Sequence, residues 1–208
     1  GLTNALTPIH GHRLDRHSAA ASRAEEIINR LWLDPVMGRG YPEGIRRAVE
    51  RQNRGNLRPG DLEVIAQRLD FLGINHYNRM IVKPSRRPLY SFTPVTPEYP
   101  GVQFTEMGWE VYPDGLREIL IWVTERYGRV PLYVTENGVA YRDTVEDGAV
   151  HDPDRIDFLR RYITAVHHAI SQGADVRGYF VWTFMDNFEW KLGYAKTFGL
   201  VHVDYDGG

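Results

Sequence analysis

Glu136 sits in the tetrad Thr135, Glu136, Asn137 and Gly138, directly after the largely apolar residues 132–134. A second stretch, 178–190, opens as a near-continuous apolar run over 179–182. It then sets Asp186, Asn187 and Glu189 among Phe188 and Trp190. A third, 71–77, is apolar at first and ends in Asn75, His76 and Tyr77. A carboxylate at a strand end can act as nucleophile or base, and a phenol can donate to it. Flat indole faces suit the C–H face of a pyranose. Fixed acceptors and donors suit its hydroxyls, each of which is costly to bury unpaired. Together these groups fit glycoside hydrolysis through a carboxylate nucleophile. Taken singly, each has a structural reading. Glu136 could be solvated at a rim before an Asn-Gly turn, and 178–190 could be a buried aromatic cluster with a capping Asp.

The elements that must position these residues alternate in type. Residues 1–9 read as a short strand closed by Pro8. Ser18 is a plausible N-cap for a helix through Ala24, Ile27, Ile28, Leu31 and Trp32, which Asp34 and Pro35 end. Pro42 opens a second helix, and Leu62 to Leu69 form a short third one. The second strand is 71–77. Residues 79–105 are Pro-rich and read as a long irregular excursion. Pro113 starts a helix that Gly128 stops. The third strand is 132–135. Asp152 and Pro153 cap a helix with Ile156, Leu159, Ile163, Val166 and Ile170 on one face and Gly173 past its end. The fourth strand begins at Gly178, its apolar run suiting a strand buried on both faces, and 198–203 reads as a short extended segment. Strand, loop and helix thus recur four times, which predicts a parallel sheet, with polar residues gathered at the C-terminal strand ends. Four such units are half of a TIM (β/α)8 barrel, so residues 1–208 are expected to be a single partial domain.

The composition excludes several classes. The 208 residues carry 25 Lys and Arg against 27 Asp and Glu, a formal net charge of −2, so no basic excess argues for nucleic acid or an anionic membrane. There is no cysteine, hence no disulfide framework and no thiolate metal site. No apolar run approaches a membrane span, and no charged n-region with an apolar h-region marks a signal peptide. A cytoplasmic protein is expected. His10, His12 and His17 have loop spacing that could hold a metal, but without acidic partners a surface loop is the simpler reading. Asp147 to Asp154 lacks the acid spacing of a calcium loop, and His167 and His168 read as a helix-face pair.

Taken together, these motifs, with Phe71-Leu-Gly-Ile-Asn75, Gly108-Trp-Glu-Val-Tyr-Pro113 and Phe198-Gly-Leu-Val-His-Val-Asp204, closely resemble glycoside hydrolase family one, the retaining β-glucosidases and relatives. The resemblance runs from Gly1 to Asp206. It implies that Glu136 is the nucleophile on the seventh barrel strand, that Tyr77 donates to it, and that Asn75 frames the same subsite. Trp182 matches the ring that floors the sugar. Glu189 matches a carboxylate that holds two sugar hydroxyls, and Trp190 a donor to a third. Phe198 matches an aromatic beside the exocyclic carbon, and Trp109 a residue at the mouth on the leaving-group side. Glu189 also marks the neutral-sugar branch, because a carboxylate there would repel a phosphorylated sugar. No metal or organic cofactor is implied.

Two departures stand out. The family's first strand here commonly reads Leu-Asn-Leu-Thr-Pro. This chain has Asn4, Ala5, Leu6, Thr7 and Pro8, so the Asn is one place out and is expected on the opposite face. The family's general acid/base is the Glu of an Asn-Glu-Pro motif, and no Asn in this chain is followed by Glu. The expectation is therefore the C-terminal half of a β-glucosidase barrel, acting on a β-glucoside or short β-linked oligosaccharide. A complementary N-terminal half would supply the acid/base and cover the inner face of the strands, Tyr179 and Val181 included. The alternative is a non-catalytic half-barrel or sugar-binding module.

Overall fold

The computed structural model describes residues 1–12, 18–53, 57–86 and 90–205. Its frame is a four-stranded parallel sheet of β1 (Leu2–Ala5), β3 (Leu72–Asn75), β6 (Leu132–Asn137) and β9 (Val176–Val181), in that spatial order. Helices α5 (Pro113–Tyr127) and α6 (Pro153–Ser171) cross over between β3, β6 and β9 and pack on one face of the sheet. Repeated parallel β/α units of this kind make a partial (β/α) barrel. Among the described residues, no helix is long and apolar enough to cross a membrane.

The core lies between the sheet and these helices. Alternate strand residues Leu72, Ile74, Leu132 and Val134 meet Leu116, Ile119, Leu120 and Val123 of α5 and Phe158, Tyr162 and Val166 of α6. Each such side chain contributes about 1.5–3 kcal/mol by leaving water. Pro113 occupies the first turn of α5, where a missing N–H costs nothing, and Gly128 ends it at φ 82°. In α6 the buried side is Arg155, Phe158, Tyr162, Ala165, Val166 and Ala169. Of the expected stripe, Val166 is buried and Leu159 packs against the core, but the three isoleucines do neither. Ile156, Ile163 and Ile170 are 66, 51 and 45% exposed, because two aromatic rings and an arginine take the sheet side instead.

Ser18 does cap α1 (Ala19–Glu25), its side chain accepting from the Ala21 N–H at 3.2 Å. The helix then continues through a π segment, Glu26–Arg30, into α2 (Leu31–Val36), with Pro35 inside rather than beyond it. Asp34 is no stop signal. It is buried and accepts from Arg126 Nε and Nη2 at 2.9 and 2.8 Å and from the Tyr127 hydroxyl at 2.7 Å, tying α2 to the end of α5. Helix α3 (Glu43–Asn53) follows Pro42 as expected, and α4 is short (Asp61–Ile65).

The Pro-rich excursion contains β4 (Met80–Pro84) and β5 (Phe92–Val95), which with β2 (Ile9–Gly11) form a second small sheet. Alanines 20, 21 and 24 of α1 cover Val82 and Phe92, and Pro94 is tolerated because β5 is an edge. A two-stranded ribbon, β7 (Val145–Glu146) and β8 (Ala149–Val150), precedes α6. Residues 198–203 form only a single bridge, Met185 with Val201.

Strand β9 starts at Val176, before Gly178, and is not buried on both faces. Tyr179 packs toward the helices, while Phe180, on the inner face, is 57% exposed. The inner-face residue is thus Phe180, and not Tyr179 as the sequence suggested. Asn4 pairs with Ile74, a helix-facing residue, and Ala5 with Asn75, so Asn4 does lie on the face away from the strand-end polar groups.

Candidate active site

The polar residues meet at the C-terminal ends of β3, β6 and β9. Along β6, Leu132 and Val134 face the helices, and strict alternation would send residue 136 the same way. The register between β3 and β6 slips at this point. Ile74 pairs with Val134 but Asn75 pairs with Glu136. This bulge gains one residue and turns Glu136 to the inner face, the re-aiming that bulges supply beside functional sites. The Tyr77 hydroxyl then donates to Glu136 Oε2 at 2.8 Å, and the Thr135 hydroxyl to Asn75 Oδ1 at 2.7 Å.

Burial pushes the Tyr77 phenol far above its ordinary range, reinforced by its hydrogen bond to Glu136 and by the Glu136 and Glu189 charges. Tyr77 therefore keeps its proton and donates it in the hydrogen bond to Glu136. The Asn137–Gly138 pair is not the solvated turn that the sequence allowed. Asn137 is buried, donating from Nδ2 to the His76 carbonyl at 2.7 Å and accepting from the Tyr179 hydroxyl at 2.6 Å. It locks the ends of β3 and β9 to β6. A Cβ on Gly138 would lie 1.8 Å from the Trp182 carbonyl oxygen, so only glycine lets β9 approach.

Trp182 is half-buried just past the end of β9, its backbone N–H donating to the Asn137 carbonyl at 3.0 Å. Trp109 stands with its ring 5.2 Å from that of Tyr77. Phe198 is 1% exposed, its ring 6.3 Å from both Tyr77 and Trp109, so it backs these two rings. Glu189 Oε2 is buried and has no hydrogen-bond partner among the described residues. A desolvated acceptor of that kind calls for a donor. Trp190 opens a 3-10 turn (Trp190–Leu192) at φ 45°, with its ring 83% exposed. A bulky side chain at positive φ is a strained placement of the sort found at ligand clamps.

Behind this group lies a network that local sequence did not reveal. Arg79 pairs with Glu110 in a buried fork, Nε to Oε2 at 2.8 Å and Nη2 to Oε1 at 2.7 Å, and the Tyr99 hydroxyl also donates to Glu110. Arg79 lies 3.7 Å over the Tyr112 ring and donates to His10 Nδ1 at 2.9 Å. His10 Nε2 then donates to Glu118 Oε2 at 2.9 Å. His10 is thus a buried strand residue in an ion-pair network and not a surface loop histidine. His12 follows it at the end of β2, and His17 lies outside the described residues. The fork ties the segment two residues past Tyr77 to the residue after Trp109, holding their two rings together.

The chain as a whole is similar to known proteins. The chain is 43% identical over 203 residues to the bifunctional beta-D-glucosidase/beta-D-fucosidase of Bifidobacterium breve, covering 90% of this chain and 44% of that protein. It is 42% identical over 178 residues to beta-glucosidase A of Thermotoga maritima, covering 84% of this chain and 39% of that one. Among solved structures, the AHE enzyme from Alicyclobacillus herbarius superposes with a TM-score of 0.89 at 40% identity, over 99% of this chain and 46% of its own. The beta-glucosidase from Thermotoga maritima in complex with azafagomine gives a TM-score of 0.84 at 35% identity, over 99% and 45%. The chain spans less than half the length of each of these relatives. Residues 2–208 match the family described as Glycosyl hydrolase family 1, and on that match, with the strand-end geometry above, the chain belongs to that family.

Proposed function

We propose that this chain carries the nucleophile half of a retaining β-glucosidase. The observation that carries the reading is the 2.8 Å hydrogen bond from Tyr77 to Glu136 across the ends of β3 and β6. Glu136 attacks the anomeric carbon and forms a glycosyl–enzyme intermediate. A carboxylic acid from a complementary N-terminal half protonates the leaving oxygen and then activates water. In retaining enzymes the two carboxyl groups stand about 5–5.5 Å apart, across the site. Trp182 floors the sugar, Asn75 frames it, Phe198 lies beside its exocyclic carbon, and Trp109 faces the leaving group. Glu189 accepts from two sugar hydroxyls, for which its Oε2, without a partner among the described residues, is the supporting observation, and Trp190 donates to a third. The substrate is a neutral β-glucoside or short β-linked oligosaccharide. The bifunctional Bifidobacterium relative supports acceptance of β-fucosides as well. A cytoplasmic setting is part of the proposal, since a cysteine-free chain makes no demand for an oxidising compartment.

The test is covalent. In the completed barrel a slow fluorinated glucoside should label Glu136, and Glu136→Ala should lower turnover by several orders of magnitude with folding intact. Labelling of Glu189 or Glu125 instead would overturn the assignment.

A further inference from the structure

Phe198 has no polar atom of its own, yet the backbone on both sides of it is held by buried charge. Arg155, in the first turn of α6, is buried, and its guanidinium reaches two separate segments. Nη2 donates to the Thr197 carbonyl at 3.1 Å, to Asp143 Oδ1 at 3.1 Å and to the Tyr141 carbonyl at 3.4 Å. Nε donates to the Val139 carbonyl at 3.4 Å, and Nη1 pairs with Asp152. One side chain thus grips residues 139–143, which leave the Glu136 strand, and the peptide directly before Phe198. From the other side, Asp186 accepts from the Gly199 N–H at 2.8 Å through Oδ1 and from the Val203 N–H at 3.1 Å through Oδ2. His202 Nδ1 joins the two halves, 3.0 Å from Asp143 Oδ2 and 3.7 Å from Asp186 Oδ2.

Asp143, Asp186 and His202 bring ligand atoms within 4.8 Å of one another, the spacing of a metal cluster. All four carboxylate oxygens, however, already accept hydrogen bonds from Arg155, His202, Gly199 and Val203. Their geometry is that of a fastening. The Thr197 hydroxyl adds a bond to the Tyr141 carbonyl at 2.6 Å. A Cβ on Gly199 would meet Asp186 N at 2.4 Å and Val201 O at 2.6 Å, so the turn is closed as tightly as its backbone allows.

We propose that Arg155 and Asp186 are positioning residues for the Tyr77–Glu136 pair, acting through Phe198. They fix Phe198, and Phe198 seats the rings of Tyr77 and Trp109 against which the sugar is held. The proposal rests on the reading of Glu136 as nucleophile. Lysine at 155 carries the same charge but, as a point donor, cannot span Thr197, Tyr141 and Asp143 together.

The experiment is a double-mutant cycle in the completed barrel with an aryl β-glucoside. Arg155→Lys should lower kcat/KM by about 10- to 100-fold, the scale of a small misplacement of reacting groups, with the loss mainly in kcat. In a Phe198→Ala background the same substitution should cost no more than about 2-fold, because the route it acts through is gone. Thr197→Val, which removes one hydroxyl bond, should show a smaller loss with the same coupling, and it decides the matter if Arg155→Lys does not fold. Amide exchange at Gly199 and Val203 should quicken in Arg155→Lys. Equal costs in the two backgrounds, or a folded variant with unchanged kcat/KM and unchanged exchange, would overturn the proposal. A completed barrel that labels at no Glu136 and turns over no β-glucoside would instead defeat the functional reading. The clamp would then be judged on exchange at Gly199 and on the ring resonances of Tyr77, which should shift in Arg155→Lys if Phe198 transmits the change and stay put if it does not.

Discussion

His76, between Asn75 and Tyr77, is fully buried and donates from Nδ1 to the Leu6 carbonyl at 3.1 Å, while Nε2 has no hydrogen-bond partner among the described residues. Burial holds its pKa down from the ordinary 6.5 to about 4, against the opposing pull of the Leu6 bond and the Glu118 charge. The folded value lies below the unfolded one, so the unfolded chain binds the extra proton between these limits. The stabilising contribution of the neutral ring is complete above pH 6.5 and is lost as pH falls toward 4. At stake is about 3 kcal/mol. Urea midpoints of the completed barrel should fall over that window, and His76→Gln should flatten the fall by about one proton. An unchanged slope would show that another group titrates there. At this scale Glu136, Tyr77 and Glu189 were legible, because their types are unusual at the ends of apolar strands. His10 was not. Its partners Glu118 and Arg79 lie 108 and 69 positions away, and no local pattern announces a bond of that span.

Periodicity marks an element faithfully where its buried side is purely apolar. Helix α5 is such a case, and Pro113 and Gly128 mark its ends in sequence and structure alike. Helix α6 is the counter-example. Ile156, Ile163 and Ile170 make a cleaner stripe than Arg155, Phe158 and Tyr162, yet the second set is buried. Arginine and tyrosine count as polar in any pattern, but each reaches a partner for its polar tip. The Tyr162 hydroxyl accepts from the Tyr112 N–H at 3.1 Å, just before α5 begins. Tyr162→Phe should therefore leave that N–H unpaired and cost about 1–3 kcal/mol of stability, measured by chemical denaturation. A loss below about 0.5 kcal/mol would mean that water takes over the bond. The small sheet of β2, β4 and β5 is hidden in the sequence for a related reason. Pro94 argues against a strand unless the strand is an edge, and edge status is a tertiary fact; Pro84 is the last residue of the central β4, beyond the stretch that β2 pairs with.

At the scale of the whole molecule, β1 and β9 are the two edges of the parallel sheet, and Phe180 lies open on its inner face. Unpaired edges and exposed aromatic surface recruit partners. Residues 1–208 alone should therefore self-associate and hydrolyse no aryl β-glucoside. Mixing with the complementary N-terminal half should bring activity and a sharp unfolding transition together. A monomeric and active 208-residue chain would refute both the half-barrel mechanism and the partner it requires. The sheet order has a further consequence, in time rather than space. Its neighbours pair Leu2 with Leu72, Leu72 with Leu132 and Leu132 with Val176. Each pairing joins residues roughly forty to seventy positions apart, so loop entropy is spent before any strand is rewarded. Helices can form early from local contacts, but the Tyr77–Glu136 pair can be made only when distant stretches have found one another. The Tyr77–Glu136 contact is thus among the last things its folding delivers.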